Sequence, residues 1–383
     1  MLDEIRKEID SIDDQIKELF EKRMECVSKA AAYKAENQLP TLDTAREREI
    51  VARVTAGQPD EFAGYTKTLF NTIFDLSRSY QGLGKIADSQ IAQRIHEAVE
   101  NTPKLFPQSS VVACQGIEGA YSQFACEKLF SRPSIMYFNS FDAVFNAVDK
   151  GLCKNGILPV ENSLHGSVTE VYDLMKKYRF YIARSVKMKI NHALLAKAGA
   201  GLPQIKEIYS HEQALMQCSE FIKGLSDIKI IDCKNTAAAA KMVADSDRND
   251  IAAISNPRCA DLYGLSILSG DVQNNANNYT RFICITKDLE IYPGSDKISL
   301  MFTVPHKPGA LYGIMSKFAS LGVNLTKLES RPIPEMDFEF MFYVELEASV
   351  YSEEIVNLIS HLDRSPEQTA HEHFAFLGSY SEI

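Results

Sequence analysis

The stretch LDEIRKEIDSIDDQIKEL, residues 2–19, determines the architecture of the first part of the chain. Its apolar residues recur at alternating spacings of three and four, at Leu2, Ile5, Ile9, Ile12, Ile16 and Leu19. This spacing places them on one face of a long amphipathic helix. We expect that helix to run to about Gln38 and to stop before Pro40.

Two cations continue this stripe where further apolar residues are expected. Arg23 takes the next position, and Lys34 projects within roughly 20° of the centre of the stripe. A buried cation needs a counter-charge, and no acidic residue near these two shares the stripe. We therefore predict an anionic ligand inside a helical bundle. The alternative is a pair of long side chains that reach water or form a structural ion pair.

Composition limits the class of protein. The chain has 383 residues with a formal net charge of -10, which argues against nucleic acid as a partner. No apolar run reaches membrane-spanning length, and the charged first helix is unlike a signal segment. The eight cysteines form no Cys-x-x-Cys pair and no metal-ligand spacing with histidine. We expect reduced thiols, no metal, no cofactor and a cytoplasmic location.

The pattern of elements divides the chain into three units. Residues 1–90 are predicted to be all helical, with a second helix that begins near Asp43 and Thr44. A first helix of about 35 residues is roughly 50 Å long, so two shorter helices cannot cover its whole apolar face. We therefore expect dimerisation or a higher homo-oligomer. Residues 91–108 are predicted to be a linker.

The two later units differ in class. In residues 109–288, short β-rich runs alternate with helices, which predicts a two-lobed α/β domain, like a periplasmic binding protein, with largely parallel sheet. Residues 296–383 follow the order βαββαβ, which predicts an α+β ferredoxin-like domain.

Polar residues occupy positions in the first unit that a plain bundle would not give them. They are Arg6, Arg23, Lys34, Arg46, Glu47, Ser77 and Gln81. The pattern resembles the helical class of chorismate mutases along the whole segment. That resemblance implies a pocket, built by two subunits, that binds the dianion chorismate and rearranges it to prephenate. Such a pericyclic step needs no nucleophile, only a held conformer and well-aimed donors.

The resemblance also implies a role for each residue. Arg23 of one chain and Arg6 of its partner would bind the two carboxylates. Lys34 and Gln81 would hydrogen-bond the ether oxygen. Glu47 and the backbone near Asp43 would bind the ring hydroxyl. Arg46 and Ser77 would complete the pocket.

Three short motifs stand out in the second unit. Gly119-Ala120-Tyr121-Ser122 follows the first strand, Glu161-Asn162-Ser163 follows another, and Asn278-Tyr279-Thr280-Arg281-Phe282 leads into a third. Each alone is more often an ordinary cap. Together, in this order, they resemble prephenate dehydratase along nearly all of 110–287. One departure is Gln115-Gly116, where that family usually has Gly-Pro-x-Gly, so we expect a changed turn there.

This second resemblance implies that prephenate loses carbon dioxide and its ring hydroxyl to give phenylpyruvate. Thr280 would donate a hydrogen bond or a proton to the leaving hydroxyl. The aminated substrate arogenate stays open. The residues implied around the substrate are Tyr121, Ser122, Glu161, Asn162, Ser163, Ser210, Gln217, Arg281 and Phe282.

Two motifs in the third unit suggest regulation. Pro308-Gly309-Ala310-Leu311 opens a helix, and Glu329-Ser330-Arg331-Pro332 closes a strand. They could be a helix start and an edge strand without further meaning. Together they resemble the ACT regulatory domain of dehydratases, which implies an L-phenylalanine site at a subunit interface. The implied residues are Gly309, Ala310, Leu311, Asn324, Glu329, Ser330, Arg331 and Pro332.

The three resemblances name consecutive steps of one pathway. We therefore predict a bifunctional enzyme of phenylalanine biosynthesis, with chorismate and prephenate as substrates and L-phenylalanine as feedback inhibitor. One alternative is a phenylalanine sensor whose catalytic units have decayed. Another is a mutase fused to a dehydrogenase, which would need a strand–GxGxxG–helix that the sequence lacks.

Overall fold

The computed structural model describes residues 1–37, 39, 43–82, 89–306, 308–333, 340–363 and 374–383. Within the helices, the side chains of Ala35, Thr44, Ser79, Gln81 and Gly82 lie outside the described part. None of the described helices combines the length and the apolar composition that crossing a bilayer needs.

The first unit consists of three helices, α1 (Leu2–Glu36), α2 (Thr44–Thr55) and α3 (Asp60–Gly82). Each helix has acidic residues in its first turn, where a negative charge interacts favourably with the positive end of the helix dipole. The N-cap of α2 is Asp43, whose side chain accepts a hydrogen bond from the Arg46 backbone N–H. Both α1 and α2 pack against α3.

The apolar stripe of α1 is not covered in a single chain. Its six residues from Leu2 to Leu19 have exposed fractions between 48% and 65%. Scattered exposed apolar residues are normal, but a continuous stripe on one helix face marks an interaction surface. The helix is thus predicted correctly, and within one chain its apolar stripe stays exposed.

The segment predicted as a linker contains helix α4 (Gln90–Asn101), which starts at the N-cap Ser89. Its buried residues Ile91, Ala92, Ile95 and Ala98 belong to the core of the C-terminal unit. The segment 91–108 therefore connects the units while forming part of the third one.

The second unit has two lobes. The first contains β1 (Val111–Gln115), α5 (Tyr121–Leu129), β2 (Ser134–Phe138), α6 (Phe141–Asp149), β3 (Asn155–Asn162), β4 (Gly166–Ser167), α7 (Thr169–Tyr178) and β5 (Tyr181–Lys189). The second contains β6 (Ala193–Lys197), β7 (Glu207–Ser210), α8 (Glu212–Gln217), α9 (Ser219–Lys223), β8 (Lys229–Asp232), α10 (Thr236–Asp245), β9 (Ile251–Ser255), α11 (Arg258–Tyr263) and β10 (Leu265–Ser269). The chain then returns to the first lobe as β11 (Tyr279–Thr286).

Each lobe has its own sheet, ordered β2-β1-β3-β11-β5 in the first and β10-β6-β9-β7-β8 in the second. The prediction of two lobes is confirmed, but that of largely parallel sheet is wrong. In each sheet the parallel pairs (β1 with β2 and β3, β7 with β8 and β9) lie on one side, and the pairs on the other side are antiparallel. The reason is topological, because β11 comes back from the other lobe and pairs antiparallel with both β3 and β5.

The third unit contains β12 (Lys297–Thr303), α12 (Ala310–Ser320), β13 (Asn324–Pro332), β14 (Phe340–Glu347), α13 (Glu353–Asp363) and β15 (Phe374–Tyr380). Its antiparallel sheet has the order β13-β14-β12-β15. One face packs on α4, α12 and α13, and the other shares a core with the second unit, where Tyr172 and Tyr343 meet edge to face at 4.4 Å.

The second and third units are also joined through the backbone. Ser185 and Lys187 of β5 donate N–H groups to the carbonyls of Ser381 and Ile383, each at 3.0 Å. Gly378 permits the approach of the two sheets, because a Cβ there would lie 2.4 Å from the Ile182 carbonyl oxygen. The two units thus form one packed body.

The first unit contacts the third through α3 and α12. A Cβ on Gly313 of α12 would lie 3.7 Å from the Asp75 carboxylate of α3. His361 of α13 lies in the same region. Burial and, to a lesser extent, the charges of Lys317 and Arg78 together lower the pKa of His361 to about 4. This histidine is therefore neutral in the folded protein at neutral pH.

We predict that His361 makes the protein less stable in mild acid. The unfolded chain takes up the His361 proton near pH 6.5, whereas the folded chain does so near pH 4, so stability falls as the pH falls between these values. From pH 7 to 4.5 the wild-type chain should lose about 2 kcal/mol more of its unfolding free energy than His361→Asn. Urea unfolding at both pH values measures this. The control His96→Gln, at a half-exposed site, should keep the wild-type loss, and an equal loss in His361→Asn would contradict the prediction.

Candidate functional site

The first cluster lies between the three N-terminal helices. Arg23 of α1 donates a hydrogen bond to Ser77 Oγ of α3, and its guanidinium lies 5.8 Å from the centre of the Phe74 ring. Burial lowers the pKa of Arg23, and the nearby Glu47 carboxylate of α2 offsets part of this effect. The acid near Arg23 thus comes from α2, and the pattern of residues along α1 alone does not predict it.

Arg78 belongs to the same cluster and was missed in the sequence. It donates to Glu47 Oε1 and to Asp75 Oδ1, so it joins α2 to α3. Its only signal in the sequence is its place next to Ser77. Because Arg78 occupies one oxygen of Glu47, the other oxygen can accept a hydrogen bond from a ligand.

A single chain brings only part of the predicted pocket together. Arg23, Glu47 and Ser77 meet, and Lys34 is partly buried near the end of α1. Arg46 is exposed and pairs with Glu49, and Asp43 acts as an N-cap. Arg6 lies 17 residues before Arg23, about 25 Å along the helix, and pairs with Asp3. The side chain of the predicted Gln81 lies outside the described residues.

The second cluster lies in the cleft between the two lobes, around Asn162 at the end of β3. Its amide Nδ2 donates to Thr280 Oγ1 at 2.9 Å, to Asn278 Oδ1 at 2.8 Å and to the Tyr279 carbonyl at 3.2 Å. Its Oδ1 accepts the backbone N–H groups of Leu164 and His165. Asn162 is thus held from both ends and directs an N–H at the Thr280 hydroxyl.

Gln217 of α8 connects this cluster to the second lobe. Its Oε1 accepts from Asn278 Nδ2 at 2.8 Å and from His192 Nε2 at 2.9 Å. Its amide Nε2 lies 3.2 Å from His165 Nδ1, which is also 3.2 Å from Asn162 Oδ1. The pairing depends on the imidazole tautomer, since one ring nitrogen cannot both accept from Gln217 and donate to Asn162.

His165 and His192 were missed in the sequence. His165 comes two residues after the Glu161-Asn162-Ser163 motif and is not part of it. His192 follows strand β5 and belongs to no motif. His192 is 2% exposed, and this burial lowers its pKa, so the ring is neutral. Among the described residues, His192 Nδ1, Asn191 Oδ1 and Ser255 Oγ are buried without a hydrogen-bond partner. Buried polar atoms of this kind ordinarily meet water or a ligand.

Four predicted contacts of this cleft are hydrogen-bonded to the backbone. Ser122 Oγ donates to the Gln115 carbonyl, Ser210 Oγ to Ile254 and Ser163 Oγ to Asn277. The Tyr121 hydroxyl exchanges hydrogen bonds with the backbone of Asn191, and burial raises its pKa, so it stays protonated. In this structure these hydroxyl groups fix the loops and strand ends around the cleft.

Three other predicted contacts do not face Thr280. Successive side chains on a strand point to opposite faces, so Glu161 and Arg281 point away from the face that carries Asn162 and Thr280. Phe282 is buried in the core of the first lobe. Strand alternation therefore separates Glu161 and Arg281 from Thr280, whereas Phe282 lies on the same strand face as Thr280 but is enclosed by the core.

Glu161 and Arg281 instead join the third unit. Arg281 contacts both oxygens of Glu345 at 2.7 and 2.5 Å and Glu161 at 3.0 Å, and Lys327 contacts Glu161 at 2.9 Å. Burial alone would raise the pKa of Glu345, but Arg281, Thr326 and Lys297 outweigh it and lower that pKa to about 2. The Glu345 carboxyl is thus ionised at neutral pH.

The third cluster lies at the start of α12, where Gly309 is the N-cap with φ of +83°. A cavity of about 360 Å³ opens there, lined by Val304, Pro305, His306, Pro308, Ala310, Leu311, Phe340 and Phe342. Its walls are mostly apolar, which suits an apolar side chain. Ala310 and Leu311, predicted as ligand contacts, line this cavity.

The residues in the second half of the predicted C-terminal site make contacts outside the cavity. Asn324 donates to Glu347, and Glu329 accepts a hydrogen bond from Ser167 at 2.7 Å. Arg331 pairs with Asp173 at 2.9 Å, Ser330 precedes it, and Pro332 ends β13. None of 329–332 lines the cavity in a single chain, although Ser330 and Pro332 pair across the sheet with Phe342 and Phe340, which do line it. No group of three His, Cys, Asp or Glu side chains suited to a metal occurs among the described residues.

Comparison with known proteins identifies the first two units. The family model described as chorismate mutase type II matches residues 5–82, and that described as prephenate dehydratase matches residues 112–290. An arogenate dehydratase/prephenate dehydratase of Arabidopsis thaliana is 36% identical over 265 residues, which cover 66% of this chain and 69% of that protein. The bifunctional chorismate mutase/prephenate dehydratase of Escherichia coli is 28% identical over 94% of this chain and 92% of its own.

Two solved structures resemble the chain. Prephenate dehydratase from Arthrobacter aurescens in complex with L-Phe has a TM-score of 0.64 at 28% identity and covers 71% of this chain and 89% of its own. GqqA, described as a novel type of quorum quenching acylase, has a TM-score of 0.63 at 29% identity and covers 71% of this chain and 98% of its own.

Proposed function

The chain belongs to the prephenate dehydratase family and has a type II chorismate mutase domain in front of the dehydratase domain, and from this premise we propose how its sites perform and control the two reactions. It is a chorismate mutase and a prephenate dehydratase, so it acts in phenylalanine biosynthesis. The observation that supports the site assignment most strongly is the hydrogen bond from Asn162 to Thr280.

The mutase site works by charge and by fit. Arg23, held between Ser77 and the Phe74 ring, binds a carboxylate of chorismate in a partly dehydrated pocket, where electrostatic interactions are strong. Glu47, fixed by Arg78, accepts the ring hydroxyl through its free oxygen. Lys34 and Gln81 stabilise the ether oxygen as it gains charge.

A second copy of the chain completes this site. Arg6 is too distant from Arg23 to bind the same small molecule within one chain, and the exposed stripe of α1 runs past Arg6. Two such stripes packed together would cover the apolar residues and bring Arg6 of one chain to Arg23 of the other. A homodimer is thus the smallest complete mutase.

The dehydratase site uses the Thr280 hydroxyl, whose oxygen already accepts a hydrogen bond. Asn162 donates to Thr280 Oγ1, so the Thr280 proton is free to point into the cleft. The carbon–carbon bond to the ring carboxylate breaks and carbon dioxide leaves. The electron pair of that bond enters the ring. The ring becomes aromatic as the hydroxyl leaves, hydrogen-bonded by Thr280, and it departs as water after protonation. Because a threonine hydroxyl is a poor acid, orientation supplies much of the rate.

The substrate contacts in the cleft come from both lobes. Asn191, His192 and Ser255 have buried polar atoms without a hydrogen-bond partner among the described residues, and Gln217 connects His192 to Asn278. Arogenate is a second candidate substrate, because plant relatives at 36% identity are named arogenate dehydratases. An assay that offers both substrates separates the two.

The third unit acts as an ACT regulatory domain that binds L-phenylalanine. The apolar cavity beside Ala310 and Leu311 suits the ring, and a relative at 28% identity is a complex with L-Phe. The stretch 329–332 would complete the site from a second copy. Phenylalanine inhibits by favouring an arrangement in which prephenate binds less well, and linkage requires prephenate to weaken phenylalanine binding by the same factor. We place this enzyme in the cytoplasm.

The first prediction separates the two activities. Thr280→Val keeps the shape of the side chain and removes its hydroxyl, so dehydratase kcat should fall about 10²–10⁴-fold while mutase activity stays unchanged. Phenylpyruvate and prephenate formed from chorismate are measured by chromatography. The control Thr286→Val, on the same strand but bonded to the Asp288 carbonyl, should keep both activities. Loss of the mutase in Thr280→Val would contradict two independent sites.

The second prediction concerns the shared mutase site. Ile12→Glu puts a charge on the exposed stripe, so the dimer should dissociate and mutase activity should fall at least about 100-fold, because Arg6 is displaced. Dehydratase activity should remain. Analytical ultracentrifugation gives the mass, and the control Lys17→Glu, on the polar face, should stay dimeric. A monomeric Ile12→Glu with full mutase activity would refute the shared site.

The third prediction concerns regulation. Ala310→Leu fills the cavity at the start of α12, so calorimetry should show phenylalanine affinity lowered by about tenfold or more. Both activities without phenylalanine should stay at the wild-type level. The control Ala319→Leu, exposed at the other end of α12, should bind as the wild type does. Unchanged binding in Ala310→Leu would place the phenylalanine site elsewhere.

A further inference from the structure

Strand β11 connects two environments through adjacent residues. Thr280 faces the cleft and accepts a hydrogen bond from Asn162, whereas Arg281 faces the third unit. Their partners on β3, Asn162 and Glu161, are likewise adjacent. Any shift of this strand pair that moves Arg281 must therefore also move Thr280.

Arg281 is held by a carboxylate of the third unit. Its side chain is 13% exposed, and the Glu345 side chain is 2% exposed. Both oxygens of Glu345 lie within 2.7 Å of Arg281 Nη1, and Lys297, Thr326 and Tyr380 also bond to this carboxylate. A carboxylate with so many partners has one position, and it imposes that position on Arg281.

The β-sheet is irregular at this point. The register between β3 and β11 shifts between Arg281 and Phe282, so Val160 is an extra residue on β3. Such a bulge bends the strand, redirects neighbouring side chains and lacks the regular ladder that would otherwise fix them. The orientation of Thr280 at this bulge thus depends on something besides the ladder.

We propose that Glu345, in the C-terminal unit, is a positioning residue for the dehydratase: it holds Arg281 and thereby directs the Thr280 hydroxyl at the reacting group. The C-terminal unit is then part of the structure that aligns the site. The inference rests on the proposed role of Thr280.

A chain of contacts extends this cluster toward the proposed regulatory motif. Glu329 accepts from Ser167, Ser167 also accepts from Lys327, and Lys327 pairs with Glu161 beside Arg281. A rearrangement of β13 therefore has a contiguous route to the residue next to Thr280. This gives the regulatory unit a mechanical connection to the reaction.

Glu345→Gln tests the proposal in the full-length protein. It keeps the size of the side chain and removes the charge, so dehydratase kcat should fall at least tenfold with KM for prephenate changed less than threefold. Mutase activity, measured in the same sample, should stay unchanged. The matched control Glu347→Gln, on the same strand but bonded to Asn324, should leave both activities at the wild-type level.

A double variant distinguishes positioning from general destabilisation. If Glu345 acts through Thr280, adding Glu345→Gln to Thr280→Val should lower the residual kcat no further. If the two losses multiply, Glu345 acts on the fold or on another group, and the proposal is overturned. If Glu345→Gln behaves like Glu347→Gln while Thr280→Val is inactive, the proposal also fails, and the proposed function stands.

The remaining outcomes are also decisive. If Thr280→Val stays active, the assignment of the dehydratase site fails and this inference fails with it. If Glu345→Gln does not fold, as shown by circular dichroism and lost mutase activity, Tyr380→Phe replaces it. That variant removes one donor to Glu345 and should lower dehydratase kcat about threefold, and an unchanged kcat overturns the proposal.

Discussion

The antiparallel pairing of β3 with β11 is the constraint on which the rest of the structure depends. β11 is the strand that returns from the second lobe, and it pairs with β3 on one side and β5 on the other. It joins β3 to β5 in the first sheet and forms part of one wall of the cleft. Because side chains alternate along a strand, the pair also sets which residues face the cleft and which face the C-terminal unit.

The buried charges beside this pair have a cost and a consequence. Removing a carboxylate and a guanidinium from water is unfavourable, and only close geometry with further hydrogen bonds offsets it. Glu345 meets that requirement with four bonded residues, and the lowered pKa of its carboxyl shows that attraction outweighs burial. An apolar contact would pack the units equally well, whereas the ionic cluster also fixes one relative position of the strands.

Local patterns predicted much of the fold. The spacing of Leu2 to Leu19 predicted α1 and its uncovered stripe, and the order of elements predicted two lobes followed by a βαββαβ unit. Sheet polarity was predicted less well, because it depends on where β11 returns, which no local pattern encodes. The packing of α4 into the C-terminal core likewise depends on residues far away in the sequence.

The cleft shows the same division. The resemblance to prephenate dehydratase implied that Asn162 and Thr280 surround one substrate, and in the structure these two side chains are hydrogen-bonded. The same resemblance also suggested Glu161 and Arg281, because neighbours in sequence are easily taken as neighbours in a site. Strand alternation separates them, and it could have been applied before the structure was known. His192 and Arg78 had no such signal, since their roles come from tertiary contacts.

The three sites differ in how much of each one chain supplies. Within one chain, residues of both lobes meet in the cleft around Thr280, whereas Arg6 and Arg23 are far apart and 329–332 does not line the cavity near Ala310. On the proposed function, a second copy completes both the mutase pocket and the phenylalanine site. On that proposal phenylalanine acts at a contact between chains, and its effect must be transmitted to the cleft around Thr280. The contacts from Glu329 through Lys327 and Glu161 to Arg281 provide that connection. A regulatory signal that arises between subunits can thus end one residue from Thr280.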